Sequence, residues 1–98
     1  MLEAAIERAV VEYARSKKVV AIKLSTNGIH GTSGWPDRLF LAPERRMLWI
    51  EFKQPGKVPT PRQEAKLELL RWMGWSPQVV DSVAQGKALI DNLINGAI

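Results

Sequence analysis

The segment from Met47 to Lys53 places the strongest constraint on how this chain can fold. Successive side chains of a strand point to opposite faces, and here residues 48, 50 and 52 form an entirely apolar face. The other face carries Trp49, Glu51 and Lys53. Both faces look largely buried, so the strand needs cover on both sides. A small sheet flanked by helices provides it.

The other elements follow from helical periodicity, β-branched runs and turn residues. In chain order, we predict a helix over 2–16, a strand over 19–24, a loop over 25–34, a strand over 37–41, a turn at 43–46, a strand over 47–53, a helix from Pro61, a strand over 75–81 and a helix over 83–94. The order α-β-β-β-α-β-α predicts the α/β class, with a small mixed β-sheet flanked by helices. We expect one domain over residues 1–98, since 98 residues are too few for two.

The start of the second helix is the best-marked boundary. Thr60 is a good N-cap, Pro61 suits the first helical position and Gln63 completes a Thr-x-x-Gln capping box. Leu67, Leu70 and Met73 are predicted to form its apolar face, and Gly74 to end it. We expect Trp49 and Trp72 in the core. Gly86 weakens the first turns of the last helix.

Composition excludes several classes of function. The chain has no cysteine, which rules out a disulfide framework and thiolate chemistry. No apolar run is long enough to span a membrane, and Met1-Leu2-Glu3 does not open a signal peptide, so we expect a cytoplasmic protein. Residues 15–66 hold eleven Lys or Arg but four acidic residues. This segment is either a solvated basic surface or a patch for a phosphate backbone.

Two carboxylates are expected to meet at one end of the sheet. Asp37 follows Pro36 at the start of the second strand, and a hairpin with the third strand brings it near Glu51. Two converging carboxylates suit a hard divalent cation, Mg²⁺ or Mn²⁺. Such an ion, with Lys53 on the same strand face as Glu51, fits phosphodiester hydrolysis. The alternative is a plain salt bridge, either between Glu51 and Lys53 or between Asp37 and a neighbouring Arg.

These motifs resemble a known family. Residues 34–39 (GWPDRL), 49–53 (WIEFK), 57–63 (KVPTPRQ), 70–75 (LRWMGW) and 79–82 (VVDS) are similar, in this order, to the VRR-NUC family of the PD-(D/E)xK nuclease superfamily. The resemblance implies a restriction-endonuclease-like core and a metal-dependent DNA endonuclease. It assigns Asp37, Glu51 and the backbone carbonyl of Phe52 to the metal, and makes Lys53 the catalytic lysine.

The resemblance also implies an acidic residue on the first helix, commonly acting on the metal through water. Glu3 and Glu7 compete for this role, and helix N-termini favour acidic residues in any case. Glu7 is preferred because related resolvase-like sequences place it about sixteen residues before a basic residue, here Lys23. The family also has a glutamine at Gln63, near the active site, where the capping box explains it equally well.

The expected partner is DNA, with branched or junction DNA favoured because standalone relatives, typically viral or bacterial, resemble junction-resolving enzymes. Cutting both strands of a junction needs two active sites, so we expect a homodimer. The alternative function is a non-catalytic, structure-selective DNA-binding module. A catalytic role for His30 is not expected. Predicted DNA contacts are Lys23, Ser25, Asn27, His30, Arg38, Lys57 and Arg62.

Overall fold

The computed structural model describes residues 1–24 and 34–96. Within them the elements are α1 (Glu3–Ser16), β1 (Val20–Lys23), β2 (Arg38–Ala42), β3 (Arg46–Phe52), α2 (Pro61–Trp72), β4 (Gln78–Val80) and α3 (Val83–Ile94). The predicted order of helices and strands is confirmed. The largest difference in bounds is β4, which has three residues where seven were predicted. No helix in the described part of the chain is long and apolar enough to cross a bilayer.

The four strands form one mixed sheet in the order β1-β2-β3-β4. The first three are antiparallel neighbours, and β4 runs parallel to β3. A parallel pair needs a crossover connection, which α2 supplies. In the β2–β3 hairpin Arg38 lies opposite Ile50. Asp37, one residue before β2, is thereby brought to the part of β3 that holds Glu51, as the sequence predicts.

The main core lies between one face of the sheet and helices α1 and α3. Contact between the two helices is close at Gly86, where an added Cβ would lie 3.1 Å from Cγ1 of Val10 and nearer still to Cγ2. The glycine that weakens α3 as a helix therefore permits this packing. The buried residues of the core are Ile6, Val10, Val11, Ala14, Val19, Phe40, Leu48, Ile50, Phe52, Val80, Ile90 and Leu93.

The opposite face carries a row of three tryptophans. The Trp49 ring lies 6.5 Å from that of Trp35 in a stacked arrangement and 6.3 Å from that of Trp75 in an edge-on one. Lys66 of α2 lies 4.7 Å above the Trp35 ring, which puts α2 on this face. The prediction that Trp72 belongs to the core is wrong, because its side chain lies on the outer side of α2 and is 83% exposed.

Helix α2 begins as its sequence predicts. The Thr60 side chain accepts a hydrogen bond from the Gln63 N–H, and the Gln63 side chain accepts one from the Thr60 N–H. Leu67 and Leu70 are buried, but Met73, predicted on the same face, is 49% exposed. Met73 follows the last residue of the helix, so it leaves the buried side.

Candidate metal centre

Three carboxylates from three separate elements converge at one end of the sheet. Glu3 opens α1, Asp37 precedes β2 and Glu51 is the penultimate residue of β3. One carboxylate oxygen from each lies within 4.8 Å of the other two. Carboxylate oxygens at such separations are the ligand type that Mg²⁺ and Mn²⁺ prefer.

Gly34 directs the path of the backbone that leads to Asp37. Its φ of +86° lies in a region that glycine adopts more readily than other residues. A Cβ at this position would lie 2.8 Å from the backbone oxygen of Arg62, near the start of α2. The Gly-Trp-Pro-Asp segment therefore passes directly against α2 before it enters the sheet. Glycine meets both the conformational and the steric requirement here.

Asp37 is held by the backbone of the neighbouring strand. Its Oδ2 accepts a hydrogen bond of 2.8 Å from the main-chain N–H of Phe52. Burial is the main cause that raises the pKa of Asp37 to about 6. The negative charges of Glu7 and Glu3 contribute to this rise, and the Phe52 hydrogen bond and the Lys23 charge oppose it. The folded chain thus holds this group in a position where its charge is unfavourable.

Glu51 is the most unfavourably placed charge of the three. Its side chain is 1% exposed, and neither carboxylate oxygen accepts a hydrogen bond from a described residue. Burial, together with the negative charge of Asp37, raises its pKa to about 7 although Lys53 opposes the rise. Lys53 Nζ lies 3.5 Å from Glu51 Oε2, too far for a good hydrogen bond. The Glu51–Lys53 ion pair, which the sequence offers as the alternative to a metal site, is present, but it leaves the carboxylate without a hydrogen bond.

These residues fit a divalent cation. A buried carboxylate without hydrogen bonds costs free energy unless an ion compensates its charge. Glu3, Asp37 and Glu51 could hold such an ion between them, and the Phe52 carbonyl remains a predicted fourth ligand. Lys53, on the same strand face as Glu51, has a side chain that is 11% exposed.

The structure brings Glu3, rather than Glu7, to the other two carboxylates. Glu7 Oε2 is bound by Lys23 Nζ at 3.0 Å and by Arg38 Nε at 2.6 Å. The geometry therefore favours Glu3 as the helix residue of this cluster, and the role at the metal that the sequence predicts for Glu7 stays a prediction. Glu3 and Glu7 lie one turn apart on α1, so the position of this helix relative to the end of the sheet decides which of them reaches the cluster.

The side-chain Oε1 of Gln63 accepts a hydrogen bond from the Thr60 N–H at 2.9 Å, so the capping explanation for this residue is confirmed. A role for Gln63 in the active site stays a prediction. Its side chain is half-buried at the start of α2.

The residues predicted to contact DNA differ in accessibility. The Lys23 side chain is 49% exposed and that of Arg38 is 17% exposed, and both pair with Glu7. Lys57 and Arg62 are exposed, before and within the first turn of α2. Ser25, Asn27 and His30 lie outside the described residues.

No protein-family profile matches this sequence. The chain is 34% identical over 80 residues to "Putative nuclease p44" of Acyrthosiphon pisum secondary endosymbiont phage 1, which covers 82% of this chain and 83% of that protein. It superposes on a solved "VRR_NUC domain" with a TM-score of 0.76 and 29% identity, over 91% of this chain and 94% of the other. A solved "VRR_NUC domain protein", 18% identical, has the same fold, with a TM-score of 0.75 over 97% of this chain and 89% of the other. These likenesses support the restriction-endonuclease-like fold, and the chain belongs to the VRR-NUC family of the PD-(D/E)xK nuclease superfamily.

Proposed function

We propose that this protein is a DNA endonuclease that uses Mg²⁺ or Mn²⁺ to hydrolyse phosphodiester bonds, and that its substrate is branched DNA of the Holliday-junction type. The observation that carries the proposal is Glu51. It is a buried carboxylate without a hydrogen bond, close to two other carboxylates and to a lysine. Membership of a nuclease family supports the same reaction class.

A divalent cation would relieve the electrostatic conflict among the three carboxylates. Burial and mutual repulsion raise the pKa of Asp37 and of Glu51, so the metal-free protein disfavours their charged forms. We assign Glu3, Asp37 and Glu51 as the side-chain ligands. When bound, Mg²⁺ or Mn²⁺ polarises a phosphoryl oxygen and lowers the pKa of a water molecule.

The remaining chemistry belongs to residues of the chain. The Lys53 ammonium, 3.5 Å from Glu51, stabilises negative charge that develops on the phosphoryl oxygens, or orients the attacking water. The Phe52 N–H keeps Asp37 facing the same site. Because Lys53 follows directly after β3, a regular strand sets the positions of both Glu51 and the lysine.

Cleavage of both strands of a junction requires two active sites. The described residues of one chain form a single cluster of three carboxylates, so we propose a homodimer with two-fold symmetry. The phage source of a relative supports action in the cytoplasm of a bacterial or phage-infected cell. Sedimentation or light scattering tests the dimer, for which we expect twice the chain mass of 11.0 kDa.

Cleavage assays test the enzyme. A four-way junction, and a linear duplex that pairs one of its strands with the full complement, are incubated with the protein in Mn²⁺, in Mg²⁺ and in EDTA. We expect metal-dependent cleavage that is faster on the junction. DNA binding without cleavage in any metal would contradict the proposal and favour a non-catalytic DNA-binding module. Equal cleavage of both substrates would contradict the junction preference alone.

Variants test the assigned residues. Lys53→Ala and Asp37→Asn should reduce the cleavage rate by at least about a hundredfold while DNA binding is retained. Lys87→Ala, which removes an exposed lysine from α3, is the matched control and should cleave normally. If Lys53→Ala loses DNA binding to the same degree as cleavage, the lysine does not act in the chemical step.

A further inference from the structure

A charged cleft lies beside the metal centre, between α1 and the strands β1 and β2. Its volume is about 280 Å³. Its basic residues outnumber its acidic ones. The basic residues come from α1 and from the paired strands, whereas both acidic residues come from α1. The charged residues that line it are Arg8, Arg15, Lys23, Arg38, Glu7 and Glu12.

Two of the arginines that line the cleft are not held by a salt bridge in the described part of the chain. Arg8 and Arg15 are exposed, and neither forms an ion pair or a hydrogen bond with a described residue. They are seven residues apart on α1, which is two helical turns, so both lie on the side of the helix that faces the cleft. Two unpaired positive charges on one wall favour an anionic occupant.

The other wall is held in place by Glu7. Its Oε2 binds Arg38 Nε at 2.6 Å and Lys23 Nζ at 3.0 Å. This leaves the terminal nitrogens of the Arg38 guanidinium without a hydrogen bond to another described residue. A guanidinium fixed at one edge is preorganised to bind a phosphate with the other.

We propose that this cleft binds a backbone phosphate of the DNA strand next to the phosphate that is cut. The inference rests on the proposed nuclease function and extends it to substrate positioning. Arg38 directly follows Asp37, and Glu7 lies one helical turn after Glu3, so the cleft adjoins the carboxylates. Arg8, Arg15 and Arg38 contact the phosphate, and Glu7 is a positioning residue that orients Arg38 and Lys23.

DNA binding measured over a series of salt concentrations tests the cleft. Fluorescence anisotropy with a labelled four-way junction, in Ca²⁺ to limit cleavage, compares the wild type with Arg8→Ala and Arg15→Ala. Each variant should bind about tenfold more weakly, and the slope of log K against log salt should fall by about one unit. Lys87→Ala is the matched control, because it also removes one exposed positive charge, and its slope should not change. Arginine variants that behave like Lys87→Ala would overturn the proposal.

Two further binding measurements show whether the cleft binds an internal backbone phosphate, a terminal phosphate or free phosphate. Junctions with 5′-phosphate ends and with 5′-hydroxyl ends should bind equally well, and inorganic phosphate at low millimolar concentration should not displace the DNA. A preference for phosphorylated ends that disappears in Arg8→Ala would overturn the assignment to an internal phosphate. Glu12→Gln removes a negative charge from the cleft and should tighten binding, whereas unchanged or weaker binding would count against the cleft.

The experiments give different results if the cleft proposal is wrong and if the proposed nuclease function is wrong. If the wild type cleaves junctions in Mn²⁺ but Arg8→Ala and Arg15→Ala retain its KM, the cleft proposal is wrong and the nuclease function stands. If the wild type cleaves nothing but both arginine variants lose affinity, the cleft stands as a DNA site and the nuclease function fails. With both correct, the arginine variants raise KM several-fold and change kcat little.

Discussion

The main-chain N–H of Phe52 donates a hydrogen bond of 2.8 Å to Oδ2 of Asp37. The bond joins β3 to the residue that precedes β2, so it ties together the two parts of the PD…ExK motif across the hairpin. The donor is a backbone group, so its position depends on the strand and not on the phenylalanine side chain. It holds Asp37 close to Glu51 although the two negative charges repel each other.

Substitutions at Asp37 should separate the effect of this hydrogen bond from that of the charge. Asp37→Asn keeps an oxygen acceptor for the Phe52 N–H, whereas Asp37→Ala removes it. We expect the alanine variant to be less stable than the asparagine variant by about 1–3 kcal/mol, because it leaves a partly buried donor without a partner. Urea unfolding in EDTA measures the difference, and equal stabilities would show that the bond contributes nothing.

The stability of the metal-free protein should fall as the pH rises from about 4 to about 7. Folding raises the pKa of Asp37 from 3.8 to about 6 and that of Glu51 from 4.5 to about 7. In this interval the folded chain therefore binds more protons than the unfolded chain, and stability declines with rising pH. Thermal unfolding in EDTA across this range measures the effect. A rise in stability over the same interval would contradict it.

Metal and a Glu51 variant supply the controls for this pH dependence. Mn²⁺ binds the charged carboxylates, so it should raise the Tm more at about pH 8 than at about pH 5. Glu51→Gln removes the buried charge and should be more stable than the wild type by about 1–3 kcal/mol in EDTA at the higher pH. The same variant should lose most of the Tm increase produced by Mn²⁺.

Most of the fold follows from local signals in the sequence. The capping box at Thr60 identifies the start of α2 from four residues, and the apolar alternation along β3 identifies a strand covered on both faces. Trp72 shows where such signals fail. An aromatic residue at the end of a helix looks like a core residue, but its burial depends on what packs against that side of α2.

Glu3 and Glu7 should respond differently to neutral substitution. Glu3→Gln removes a carboxylate of the metal cluster, so the Mn²⁺ concentration for half-maximal cleavage should rise by at least about tenfold. Glu7→Gln weakens the anchor of Lys23 and Arg38, so it should raise KM for DNA and leave the Mn²⁺ requirement nearly unchanged. Manganese titrations of the cleavage rate distinguish the two, and the opposite pattern would restore Glu7 as the metal ligand.

Gly86→Ala should destabilise the protein although alanine is the better helix former. Alanine improves helix propensity by about 1 kcal/mol, but its methyl group would collide with the Val10 side chain. Overpacking of a tight core typically costs about 1–3 kcal/mol, so we expect a net loss of stability. Urea unfolding provides the measurement.

A double-variant cycle identifies the cause of that loss. Val10→Ala makes room at the contact, so the double variant should be more stable than the sum of the two single effects predicts. Strict additivity would show that Val10 is not what excludes a larger residue at position 86.

The site is less predictable from sequence than the fold because it depends on long-range placement. The hairpin spacing suffices to bring Asp37 near Glu51, since Asp37 directly precedes β2 and Glu51 lies on the neighbouring strand β3. The choice between Glu3 and Glu7 depends on how far α1 extends past the end of the sheet, which no local pattern encodes. Arg8 and Arg15 belong to no sequence motif. Their place in a basic cleft is evident only once α1 is packed beside Lys23 and Arg38.

Glu3 belongs to α1, far along the chain from the β2–β3 hairpin that brings Asp37 and Glu51 together. No short stretch of an unfolded or newly synthesised chain brings their oxygens together, so the centre has no local precursor. It forms only after α1 has docked onto the completed hairpin. With the ligands we propose, the nuclease would be inactive until its folding is finished, and loss of the α1 contact alone would disable it.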